Sequence, residues 1–66
     1  MMYMNRFFET KEAAKAFQKE HGGAFYSYVK GSRTKRSYLA EAAMRGMSMD
    51  DVEKFPYVVA WNEPNK

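Results

Sequence analysis

Residues 57–62, Tyr-Val-Val-Ala-Trp-Asn, form a near-continuous apolar run. Its β-branched and aromatic content favours a strand. A strand without polar alternation is buried on at least part of both faces, which makes it a central one. Tyr57, Val59 and Trp61 share one side of it, and Val58 and Ala60 share the other.

The chain leading into this strand punctuates itself. Phe55-Pro56 ends a short helical turn over 49–54, because a residue before proline resists helical geometry. Ser48 is placed to cap that turn, with Asp50 and Asp51 where the helix dipole favours negative charge. Adjacent carboxylates on a helix do not face each other, and no calcium-loop spacing follows, so capping explains them better than a metal. A longer helix over 34–45 ends near Gly46. Its apolar stripe reads as Leu39, Ala42, Ala43 and Met47, with Tyr38 at the edge. Helix, glycine and short helix together have the outline of a helix-turn-helix. The second helix is too short and too acidic at its start to enter a phosphate-lined groove, which excludes that reading.

Further back, 24–30 (AFYSYVK) alternates as a strand, with Phe25, Ser27 and Val29 on one side and Ala24, Tyr26, Tyr28 and Lys30 on the other. Gly22-Gly23 turns the chain out of a helix over 11–21, which Thr10 is placed to cap and whose narrow stripe is Ala13, Ala14 and Phe17. His21, the one histidine, ends that helix and has no neighbours forming a catalytic constellation, so a capping role suffices. Residues 2–8 (MYMNRFF) read as a first strand.

The order is therefore β-α-β-α-(α)-β in one domain spanning 1–66, with 63–66 as a frayed tail. The expected class is α+β: a two-layer sandwich, with a three-stranded sheet and two to three helices on one face. Both long connections allow crossovers, so parallel pairing is permitted but not required. In that arrangement Tyr26 and Tyr28 stand on an open sheet face.

At 66 residues the chain is near the lower size limit for a core without a staple, and it has no cysteine to make one. Five Phe, five Tyr, one Trp and six Met supply bulk in its place, and self-association is the other usual remedy. The start, MMYMNRFF, has no charged leader or cleavage pattern of a signal peptide, and no run approaches the roughly 18 apolar residues of a membrane span. A cytoplasmic location is the default expectation.

The net charge of +3 is modest, so charge matters locally. Lys30, Arg33, Lys35 and Arg36 lie within seven residues that contain no acid, at the entry to the 34–45 helix. Helix N-termini present free N–H groups, so loop and helix together suit a phosphate or another polyanion. Tyr26 and Tyr28, interleaved with cations, suit base stacking. The bland alternative is a solvated loop. No GxSxG, P-loop, dinucleotide turn, HExxH or cysteine pair occurs, so no enzyme activity, cofactor or metal is expected. The leading expectation is a non-catalytic binding module that meets nucleic acid or another polyanion through residues 30–36. The rival is a protein-interaction or homodimerising domain that buries the tyrosine-bearing sheet face.

Overall fold

The computed structural model describes residues 2–64. Strands β1 (Met2–Phe8), β2 (Ala24–Ser27) and β3 (Tyr57–Glu63) alternate with helices α1 (Lys11–His21), α2 (Lys35–Met44) and α3 (Met49–Lys54), in the order β1-α1-β2-α2-α3-β3. The α+β class and element order are those read from the sequence. β3 lies in the middle of the sheet and is antiparallel to both neighbours. β1 and β2 thus run the same way on either side of it, and neither pairs with the other.

Local signals set the ends. Thr10 Oγ1 accepts from Ala13 N at 3.2 Å, and Gly22 N returns to Gln18 O at 2.7 Å, so α1 is closed at both termini. Ser48 and Asp51 form a reciprocal capping box at α3. Gly23 has a structural duty of its own: with φ at 97°, a Cβ there would lie 2.2 Å from the carbonyl oxygen of Ala60. Only glycine lets the chain enter β2 this close to β3. At the other end of the chain β3 runs to Glu63, opposite Met2. Asn65 and Lys66, in the segment expected to fray, lie outside the described residues.

The layering differs from expectation. Val58 and Val59 are neighbours on one strand, so their side chains point to opposite faces, yet both are fully buried. Val58 packs with Tyr38, Ala42 and Val52 of α2 and α3, joined by Phe7, Tyr26 and Tyr28. Val59 and Trp61 pack with Ala14 of α1, joined by Phe8, Phe17 and Phe25. The sheet is therefore covered on both faces, with α1 on one side and α2 with α3 on the other. The expectation of two to three helices on one face is corrected. The cause is β3 itself: a strand apolar on both sides needs cover on both.

Two readings on α2 also change. Tyr38 is wholly buried at the centre of its cluster, whereas Leu39 is exposed. The phenol can go inside because its hydroxyl donates to Phe55 O at 2.7 Å, and its ring meets Phe7 edge-on at 5.5 Å. Glu41 is buried as well, accepting from Asn5 Nδ2 at 2.7 Å and from the Tyr3 hydroxyl. A tyrosine and a glutamate thus share the inner face of α2 with Ala42.

Candidate functional site

The basic loop is built on hydroxyl groups. β2 stops at Ser27, three residues before the strand's expected end: Tyr28 N still donates to Pro56 O at 2.8 Å, but Pro56 has no N–H to return, so the ladder closes there. The Ser27 N–H, which faces away from β3, donates to Thr34 Oγ1 at 2.9 Å. Ser27 Oγ meets Ser32 Oγ at 2.7 Å, Ser32 Oγ meets Thr34 Oγ1 at 3.1 Å, and Thr34 N donates to Ser32 Oγ at 3.2 Å. Between them the chain makes a tight turn: Ser32 N donates to Val29 O at 3.0 Å, and Gly31 has a φ of 84°. Tyr28 N reaches Pro56 O at 2.8 Å, tying the base of the loop to the start of β3.

Holding Ser27 has a consequence for α2. Thr34 is the N-cap residue, but its hydroxyl makes no capping bond to the helix, and the first turn contains no acid. The helix therefore opens with N–H groups that have no side-chain cap, beside a run of cations. Lys30, Arg33 and Arg36 are exposed, and Lys35 is half-buried with Nζ 5.5 Å from the centroid of the Tyr28 ring. Among the described residues none of the four cations lies within ion-pair distance of a carboxylate.

The two tyrosines expected beside this loop do not form an open platform. Tyr26 and Tyr28 are half-buried on the sheet face that α2 and α3 cover, and the Tyr28 ring lies 5.6 Å from that of Tyr38. Tyr28 borders the loop through Lys35; Tyr26 belongs to the packing. The scaffold of Ser27, Ser32 and Thr34 was missed in the sequence, where the cations of the loop drew notice. Its trace there is the interleaving of hydroxyls with cations in Ser32-Arg33-Thr34-Lys35-Arg36.

A second concave region lies at the far end of the sheet. A groove of about 530 Å³ runs beside β1, lined by Met4, Asn5, Arg6, Phe17, His21, Arg45, Trp61 and Glu63. A smaller one of about 170 Å³ involves Tyr3, Asn5, Met44 and Arg45. His21 stacks on Phe17 with ring centroids 4.1 Å apart, so it is a groove wall rather than a simple end-cap. Trp61 Nε1 donates to Glu63 Oε1 at 3.1 Å. Among the described residues no cluster of three or more His, Cys, Asp or Glu side chains is placed to hold a metal ion. No helix of the described residues is long and apolar enough to cross a membrane. Comparison with protein-family models, curated proteins and solved structures gave no match to this chain.

Proposed function

We propose that this chain is a small non-catalytic binding module of the cytoplasm whose loop, Lys30 to Arg36, takes a polyanion, with nucleic acid as the leading candidate. The observation that carries this is the use of Thr34. Its hydroxyl holds the loop through Ser27 and does not cap α2, so a preformed cationic turn sits beside uncapped helix N–H groups. A loop that served only solubility would gain nothing from this ordering. Lys30, Arg33 and Arg36 act as the phosphate contacts, and Lys35 with Tyr28 forms one edge of the surface. Tyr26 contributes packing, not stacking.

The rival reading, self-association through an exposed tyrosine face, loses its surface because that face carries α2 and α3. The test is the salt dependence of binding to a labelled single-stranded oligonucleotide, followed by anisotropy. Log affinity should fall linearly with log salt, and each of Arg33→Ala and Arg36→Ala should flatten the slope by about 0.7 to 1. Failure to bind oligonucleotide or inorganic polyphosphate at low salt, or variants with an unchanged slope, would remove the proposal.

A further inference from the structure

The unpaired side of β1 is the best-equipped surface outside the loop. β1 is an outer strand of seven residues without proline or glycine, and β3 occupies only one of its edges. Its other edge presents main-chain N–H and C=O groups to solvent. β2, the opposite outer strand, has only four residues. The sheet therefore offers one long free edge.

The two grooves flank that edge. The larger groove has an aromatic wall from α1 and β3, formed by Phe17, His21 and Trp61. The smaller one lies toward α2, with Tyr3 and the exposed Met44 on its sides. A strand laid beside β1 would send successive side chains to opposite faces, so alternate residues would meet the two grooves in turn. Charge identifies the kind of strand. Arg6 stands on the α1 side with its guanidinium 5.5 Å from the Phe17 ring centroid, and Arg45 at the end of α2 borders both grooves. Neither is in an ion pair among the described residues. Of the nearby carboxylates, Glu41 is buried and accepts from Tyr3 and Asn5, while Glu63 lines the larger groove opposite Met2, at the end of β1 away from Arg6.

We infer that β1 accepts an extended acidic segment of another protein as a fourth strand, its main chain bonded along β1 and its carboxylates set against Arg6 and Arg45. A second copy fits less well. Self-pairing of β1 would bring two sets of Arg6 and Arg45 to one seam, and residues 2–8 contain no acid to offset them. The site is independent of the loop: β2 leads into the loop at the Tyr57 end of β3, whereas Met4 pairs with Trp61 toward the other end.

Trp61 is the one tryptophan and lies in the larger groove, so its fluorescence reports occupancy directly. The probes are synthetic peptides alternating Glu with Val, the same peptide with Lys for Glu, and a Glu peptide carrying one central proline. The Glu peptide should shift Trp61 emission saturably and bind about tenfold or more tighter than the Lys peptide. The proline should weaken it about tenfold, because it removes a main-chain donor. Arg45→Ala, on an exposed helix end, should weaken it about two- to fivefold. Four results would each overturn the inference: no emission change with the Glu peptide, equal binding of the Lys peptide, indifference to the proline, or displacement by oligonucleotide. Dimerisation of the chain alone through β1, seen as loss of peptide binding with rising protein concentration, would overturn it too.

Discussion

Tyr38 concentrates the chemistry of the α2 side in one residue. Burial pushes its hydroxyl up to about 12, with the nearby Asp51 and Tyr28 adding to the effect. Tyr3 is likewise raised to about 12, by burial first and then by its bond to Glu41. In the unfolded chain both ionise near the ordinary value of 10.0. Between about pH 10 and 12 the unfolded state therefore loses protons that the folded state keeps. The stabilisation is complete below pH 10 and is lost as pH rises toward 12. Urea unfolding across this window should show stability falling, with a shallower fall in Tyr38→Phe. At neutral pH the same variant should cost about 1 to 2 kcal/mol, because the Phe55 carbonyl loses its donor. Two glycines make a sharper comparison. Gly23→Ala should cost about 3 kcal/mol or more, since its Cβ would collide with the backbone of β3. Gly31→Ala, with a similar positive φ but no atom within 4 Å, should cost only about 1 to 2 kcal/mol. Thermal melts of the two proteins side by side check this, and equal losses would show that backbone strain alone sets both.

At the scale of elements, sequence punctuation was informative wherever a side chain acts on its own neighbours. Thr10, Ser48 and Asp51 cap in the structure as their positions suggest, and Pro56 stops α3. Ser48→Ala should therefore cost about 1 kcal/mol and fray α3, measurable as faster amide exchange over residues 49–54. The face of α2 was not legible. A buried Tyr38 depends on a carbonyl seventeen residues away, and a buried Glu41 on donors in β1. No local pattern marks either: of the stripe read as Leu39, Ala42, Ala43 and Met47, Ala42 and Met47 pack against the core, whereas Leu39 and Ala43 face solvent. The end of β2 was hidden for a similar reason. Its ladder stops where Tyr28 meets Pro56, which accepts a bond but has no N–H to return, and that pairing exists only once β2 lies beside β3.

For the molecule as a whole, the layering follows from β3. Its unbroken apolar run indicated burial on both faces, and the chain has helices enough to provide it: α1 arrives before β2, and α2 with α3 after it. An arrangement with helices on one face leaves Val59 and Trp61 in water, which their burial excludes. The covered tyrosine face in turn redirects function. What remains accessible is a cationic loop at one end of the sheet and a free strand edge flanked by grooves toward the other. The cations of the loop were legible in the sequence because they are contiguous. Arg6, His21, Arg45 and Trp61 were not legible as a site, because they come from four elements that only the fold brings together. Isotope-edited nuclear Overhauser spectroscopy of the methyl groups tests this layering directly. Val58 methyls should show contacts to the Tyr38 ring and Val52, and Val59 methyls should show contacts to Ala14. Val59 methyls without any contact to α1, together with Tyr26 and Tyr28 rings open to a dissolved paramagnetic probe, would contradict it.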